Sequence, residues 1–220
     1  MAQLPRLYPI LDAACFSDEK ALFLAAESLA AAGCTLIQYR NKSGDARVMP
    51  EQARELKRLI ESHISHKTRD MGHPSVDNSI RLIMNDRADL CVVAEFDGVH
   101  VGQDDLSPES VRRIIGPERW LGVSTHNPDQ LREADLTSAN YLAIGPVFST
   151  SSKDKPDPIV GLEGVRQARQ LTRKPLVAIG GITRANAASV IEAGADSVAV
   201  ISDLLREPRK SAEEFFRILR

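Results

Sequence analysis

Aromatic side chains are scarce in this sequence. One Trp, three Tyr and six Phe make up 5% of the 220 residues, so stacked-base nucleic-acid platforms have little to build on. Cysteine is scarcer still. Cys15, Cys34 and Cys91 are widely spaced and lie among apolar residues; an odd count without CxxC spacing excludes a disulfide framework or a thiolate zinc site. Neither sign of charge dominates, with 28 Lys and Arg against 30 Asp and Glu. A nucleic-acid or membrane-surface partner therefore lacks a global electrostatic basis. No apolar run approaches the roughly 18 residues of a membrane span, and no basic segment leads into an apolar one at the N-terminus. The expectation is a soluble, cytoplasmic protein, with assembly into a homo-oligomer left open.

What is present is a repeat of two segment types. Short continuous apolar runs at residues 7–11, 35–40, 81–85, 98–102, 120–125, 141–146, 175–180 and 197–202 read as parallel strands covered on both faces. Between them lie helical periodicities at 19–32, 50–63, 107–115, 129–134, 161–171, 184–192 and 212–219, with a short helix at most in 87–96. Ser17 and Asp18 precede the first helix as N-cap residues, and Gly33 follows it as a C-terminal stop. Pro108 opens a first turn, and Thr183 is placed to cap the helix ending near Gly194. Eight βα units in about 200 residues predict an α/β chain, a single-domain (β/α)8 TIM barrel spanning residues 1–220. The absence of GxGxxG after the first strand excludes a dinucleotide-binding half. Residues 66–79 are polar and carry Gly72, Pro74 and Asn78. They read as a surface loop on the N-terminal face, with His63, His66 and His73 solvated rather than gathered around a metal.

Barrels of this kind do their chemistry at the C-terminal strand ends, and polar residues gather there. Strand one ends in Asp12. Gln38, Arg40 and Lys42 recur at every second position of strand two, which puts two cations and an amide on one side, a set suited to phosphate or diphosphate. Strand three ends in Asn85 and Asp86, and strand four runs into Gly102, Gln103, Asp104 and Asp105. Asp86 and Asp105 could cap the helices after them; as a pair facing Arg40 and Lys42 they instead suit Mg²⁺ on a diphosphate. Ser124 and His126 end strand five without the G-x-S-x-G elbow of a serine nucleophile, so hydrogen bonding or proton transfer is expected of them. A loop of Ser149, Thr150, Ser151, Ser152 and Lys153 follows strand six, and Gly180-Gly181-Ile182 and Val200-Ile201-Ser202 end strands seven and eight. Loops after the last two strands commonly hold phosphate through backbone N–H groups. Two anionic subsites imply two phosphorylated substrates.

At these residues the chain resembles the thiamine-phosphate synthase family over nearly its whole length. The resemblance rests on Leu7-Tyr8-Pro9-Ile10-Leu11-Asp12, Gln38-Tyr39-Arg40-Asn41-Lys42, Asn85-Asp86-Arg87-Ala88-Asp89 and Gly98-Val99-His100-Val101-Gly102-Gln103-Asp104-Asp105. It continues through Gly122-Val123-Ser124-Thr125-His126, Gly145-Pro146-Val147-Phe148, Gly180-Gly181-Ile182 and Val200-Ile201-Ser202. It implies a transferase that joins an aminopyrimidine methyl diphosphate to a thiazole phosphate and releases pyrophosphate. By resemblance Gln38, Arg40, Lys42, Asn85 and Lys153 hold the diphosphate, and Asp86 and Asp105 hold Mg²⁺. Ser124 contacts the pyrimidine, while Thr150, Ser152, Gly181, Ile201 and Ser202 hold the thiazole phosphate; Ser124, Lys153 and Arg40 carry the catalytic roles. Three departures stand out: Ser152 where the family has Thr, Asn41 where it has Glu, and Leu11 where it has Thr. A thiazole phosphate tautomerase using His126 and a non-catalytic phosphometabolite-binding barrel are the alternatives. An aldolase would need a lysine within a strand for a Schiff base, and none is visible.

Overall fold

The computed structural model describes residues 4–43, 45, 47–71, 79–150 and 157–220. Eight parallel strands close in sequence order into a barrel: β1 (Leu7–Asp12), β2 (Leu36–Arg40), β3 (Arg81–Asn85), β4 (Gly98–Val101), β5 (Trp120–Thr125), β6 (Tyr141–Ile144), β7 (Leu176–Ile179) and β8 (Ser197–Val200). The ring shuts where Leu7, Tyr8 and Pro9 of β1 pair with Val198, Ala199 and Val200 of β8. The helices are α1 (Glu19–Ala32), α2 (Val48–Met71), α3 (Ala88–Val93), α4 (Pro108–Ile115), α5 (Pro128–Asp135), α6 (Gly161–Leu171), α7 (Ala187–Glu192), α8 (Ser202–Leu205) and α9 (Pro208–Ile218).

Strand alternation divides the apolar residues into two cores. Leu121 and Val123, Leu142 and Ile144, and Leu176 and Ala178 point outward under the helices. Tyr8, Ile10, Leu36, Ile83, Tyr141, Ala143, Val177 and Ala199 fill the barrel interior, with Trp120 packed against them. The Arg81 guanidinium lies 4.6 Å from the Trp120 ring centroid, a cation–π contact where β3 and β5 begin. The helices form for reasons readable locally. In α1 the buried residues Leu22, Ala25, Ala26, Leu29 and Ala30 make one stripe. The Asp18 carboxylate accepts the Ala21 N–H at 2.8 Å, a cap contributing about 1 kcal/mol.

The structure departs from the sequence expectation in several places, among them α9, which starts at Pro208 rather than at 212. Helix α2 runs to Met71, eight residues beyond the expected end at 63. The sequence there has no regular apolar stripe, so periodicity could not mark it. Of the expected loop at 66–79, residues 66–71 are therefore helical, and 72–78, His73 included, lie outside the described residues. Helix α7 starts at Ala187 behind Asn186 rather than behind Thr183; Thr183 contributes its carbonyl to the Asn186 and Ala187 N–H groups. Finally, α8 was not expected, because four residues are too few to show a period.

Candidate active site

The inward-facing rows change character along each strand. The half toward the N-terminal ends is largely filled by apolar and aromatic side chains, and the half toward the C-terminal ends carries Asp12, Gln38, Asn85, His100 and Ser124. Period two thus delivers polar groups from five consecutive strands to one opening.

The rim over β1–β4 is charged and internally paired. Buried Asp12 accepts a hydrogen bond from the Arg40 guanidinium, and the exposed Lys42 ammonium is paired with Asp86. Asp86 and Asp105 lie within hydrogen-bonding reach of each other; burial pushes the Asp86 carboxyl up from the ordinary carboxylate range, Lys42 pulls it back, and Asp105 adds to the rise. Neither carboxylate caps a helix. Arg87 precedes α3 without a side-chain cap, and Ser107 caps α4. Asp105 instead accepts the Gly102 N–H at 2.8 Å, which fixes the loop after β4. Asp86 sits at φ 61°, a left-handed conformation an Asp tolerates and one concentrated at functional sites. Beside it the buried Nδ2 of Asn85 has no hydrogen-bond partner. An orphaned amide inside a protein destabilises it by about 1–3 kcal/mol, so this one calls for a ligand oxygen. No group of three or more His, Cys, Asp or Glu converges among the described residues. Two opposed carboxylates are the smaller donor set Mg²⁺ uses when phosphate and water complete its shell.

Below this rim the barrel interior holds a continuous hydrogen-bond chain. Gln38 Nε2 donates to the Tyr8 hydroxyl at 2.9 Å; Tyr8 and Tyr141 hydroxyls are 2.9 Å apart. Tyr141 lies 3.1 Å from His100 Nδ1, and His100 Nε2 is 2.8 Å from Ser124 Oγ. Burial pushes the His100 imidazole down to about 4 and both phenols well up, so every member is neutral at pH 7. Gln103 crosses from the loop after β4 to the Ser124 carbonyl at 2.5 Å, holding that strand end in place.

On the opposite side the loops after β6, β7 and β8 are bound together. The Phe148 N–H donates to the Gly180 carbonyl at 3.0 Å, which sets the residues leading to Thr150 beside Gly181. A Cβ at Gly181 would stand 2.4 Å from the Ser149 carbonyl oxygen, and its φ of 63° independently favours glycine. The Asn186 amide donates to the Gly181 carbonyl at 3.1 Å. Arg184 reaches Asp203 through its backbone N–H at 2.9 Å and its Nε at 3.0 Å, tying the β7 loop to the segment that contains Ile201 and exposed Ser202. Ser152 and Lys153 lie outside the described residues.

His126 is not in this opening. Its Nδ1 is 2.6 Å from the Gly145 carbonyl and its Nε2 is 3.4 Å from Asp157, so its hydrogen bonds fix the β5 and β6 ends. Asn41 faces α2, donating to Gln52 Oε1 at 3.0 Å, and Leu11 is buried in the outer core; two of the three family departures thus lie away from the opening. A surface cavity of about 610 Å³ lies against the start of β7, lined by Asp135, Asn140, Thr172 and Lys174. Thr172 bonds Asp135 there, and the Lys174 ammonium donates to the Thr137 carbonyl at 2.6 Å, so its polar groups serve the fold.

Sequence reasoning placed Asp12 at the end of strand one without its Arg40 partner, and assigned no role to Tyr8, His100 or Tyr141. A signal for His100 was present: it lies between Val99 and Val101, both fully buried under the helices, so its own side chain has to point inward.

The profile of the family described as Thiamine monophosphate synthase matches residues 7–204. Among curated proteins, the Thiamine-phosphate synthase of Koribacter versatilis is 55% identical over 220 residues, covering 99% of this chain and 97% of the relative. That of Chloroflexus aurantiacus is 42% identical over 197 residues, covering 90% and 83%. Among solved structures, the thiamine phosphate pyrophosphorylase from Pyrococcus furiosus superposes with a TM-score of 0.80 at 28% identity, over 97% of this chain and 95% of that one. The chain belongs to the thiamine monophosphate synthase family.

Proposed function

We propose that this protein is a Mg²⁺-dependent thiamine-phosphate synthase. It condenses 4-amino-2-methyl-5-(diphosphooxymethyl)pyrimidine with 4-methyl-5-(2-phosphooxyethyl)thiazole, giving thiamine phosphate and pyrophosphate, in the cytoplasm. One observation carries the reading: two opposed carboxylates, two cations and an unpartnered buried amide share the β1–β4 rim. The carboxylate pair calls for a cation and the amide for an oxygen acceptor, and the two cations can exchange their carboxylates for anionic oxygens; a metal-bound diphosphate supplies these together.

The reaction breaks the bond between the pyrimidine methyl carbon and a diphosphate oxygen, and the electron pair leaves with pyrophosphate. The thiazole nitrogen then donates its lone pair to the resulting carbocation, and no proton has to move. Mg²⁺, when bound by Asp86 and Asp105, neutralises charge on the leaving diphosphate. Arg40, Lys42 and Lys153 hold that charge from the protein side, and Gln38 and Asn85 supply amide contacts. Ser124 binds the pyrimidine. Thr150, Ser152, Gly181, Ile201 and Ser202 hold the thiazole phosphate so that its nitrogen is aligned for attack, which spares the reaction much of its entropic barrier.

The test is pyrophosphate release from both purified substrates, with and without Mg²⁺. Release that requires both substrates and Mg²⁺ is expected; none at any Mg²⁺ concentration refutes the synthase reading. A tautomerase has no pyrophosphate to release and would leave the Asp86–Asp105 pair and the Gln38, Arg40 and Lys42 set without a use. His126 is held by Gly145 and Asp157 away from the opening, so His126→Ala is expected to leave pyrophosphate release within a few-fold of the parent.

A further inference from the structure

The buried chain Gln38–Tyr8–Tyr141–His100–Ser124 crosses the barrel interior from β2 to β5, and the reaction as derived uses only its two ends. The three residues between them are not inert filling. Each carries a polar atom where barrels usually place aliphatic side chains, and Tyr8 and Tyr141 are among the largest fully buried side chains.

Donor and acceptor counting gives the chain a direction. Gln38 Nε2 can only donate, so the Tyr8 oxygen accepts. Tyr8 has one proton, and its other close partner is the Tyr141 hydroxyl. Tyr141 in turn passes its single proton to His100 Nδ1. A neutral imidazole that accepts at Nδ1 carries its proton at Nε2 and donates it to Ser124 Oγ. The Ser124 hydroxyl proton is then left for a ligand, and so is the carboxamide oxygen of Gln38. One end of the chain offers a donor and the other an acceptor.

We propose that Tyr8, Tyr141 and His100 are positioning residues that fix this polarity and thereby select a 4-aminopyrimidine over a 4-oxopyrimidine. The inference rests on the synthase reading above and deepens it. An aminopyrimidine presents a ring nitrogen that accepts, the complement of the Ser124 hydroxyl at the end of the chain. Its 4-oxo counterpart presents a ring N–H there, a donor facing a donor. A site whose hydrogen bonds are locked in one direction leaves buried groups unpaired against that analogue. Chained hydrogen bonds also polarise one another, so the lock is shared by the whole row.

The experiment measures kcat/KM for the amino and the 4-oxo pyrimidine diphosphates with saturating thiazole phosphate and Mg²⁺, using the full chain. The parent is expected to favour the amino substrate by at least about a hundredfold. Tyr141→Phe keeps the ring and removes the hydroxyl that orients His100. It is expected to narrow the ratio by about tenfold while the KM for thiazole phosphate stays within about twofold of the parent. His100→Gln, whose carboxamide can accept from Tyr141 and donate to Ser124, retains more of the ratio than His100→Leu does. Melting curves confirm that each variant is folded; if Tyr141→Phe is not, Tyr8→Phe decides, because it cuts the same chain one link away. An unchanged ratio in folded variants, equal loss on both substrates' kinetics, or a parent preference for the 4-oxo compound overturns the relay while leaving the synthase reading intact. A parent that releases no pyrophosphate from the amino substrate removes both.

Discussion

Gly122 is a position at which a small chemical change should have a large effect. It lies on the inward row of β5, one step below Ser124. A Cβ there would stand 2.2 Å from Cζ of Tyr141, 2.4 Å from its hydroxyl oxygen and 2.4 Å from His100 Nδ1. All three atoms belong to fully or nearly fully buried rings, so none can swing into solvent to make room. In Gly122→Ala one added methyl therefore has to push Tyr141 and His100 apart. Overpacking of this kind destabilises by about 1–3 kcal/mol. Breaking the 3.1 Å Tyr141–His100 bond strands a buried donor and acceptor and adds about 1–3 kcal/mol. The sum is about 4 kcal/mol, and at about 2–4 °C per kcal/mol for a chain of this size the melting temperature should fall by about 8–16 °C. Thermal unfolding followed by circular dichroism measures it. Kinetics well below both transitions should show a larger loss for the pyrimidine diphosphate than for the thiazole phosphate, because the displaced rings hold Ser124. A melting temperature within about 2 °C of the parent would refute the packing argument.

Three further outcomes follow from the electrostatics and burial. Asp86→Asn removes one of two carboxylates that face each other at a partly buried rim, so at neutral pH it should melt at or above the parent temperature while Mg²⁺-dependent pyrophosphate release is lost; a clear drop in melting temperature would mean that the Lys42 pair outweighs the repulsion. His100 binds its proton less readily when folded, with its pKa pushed from 6.5 to about 4. The unfolded chain therefore takes up more protons across that window, and stability should decline as pH falls from about 6.5 toward about 4; His100→Gln should flatten that limb of a melting-temperature profile. The Cys34 and Cys91 thiols are buried and pushed up to about 12, whereas Cys15 is exposed. A thiol-titrating disulfide reagent at pH 8 should find one fast-reacting thiol in the native protein and three after denaturation.

The barrel was legible because covering a parallel strand on both faces forces a continuous apolar run, and eight such runs show clearly in 220 residues. Bounds were firm where a physical stop exists: Asp18 and Gly33 bracket α1 as expected, and β3 and β5 match residue for residue. They failed where nothing in the pattern changes, as in the polar continuation of α2 to Met71. The rim of the site was visible as polar residues at strand ends. Its pairings were not, since nothing local tells that Arg40 turns to Asp12 and Lys42 to Asp86. The interior chain escaped for a related reason. Tyr8 and Tyr141 are 133 positions apart, and only closure of the ring brings their hydroxyls together.

The two layers of the site therefore have different physics, and the division matches what the reaction asks of each substrate portion. The rim pairs both of its cations with carboxylates before any ligand arrives, so binding a metal diphosphate exchanges ion pairs rather than desolvating bare cations. On the proposed reading Arg40 and Lys42 would leave Asp12 and Asp86 for the diphosphate, and the carboxylate released from Lys42 would face the cation that accompanies it. Such an exchange is nearly balanced in the ground state and grows favourable as negative charge collects on the departing oxygen, which is when stabilisation accelerates the step. The interior carries no net charge at pH 7. Its hydrogen bonds keep their strength in the low-dielectric barrel and do not compete with the diphosphate for the cations above. Salt added to the assay should on these grounds weaken capture of the diphosphate at the half-exposed rim, where ions screen the charges, and leave the amino-over-oxo selectivity of the interior unchanged.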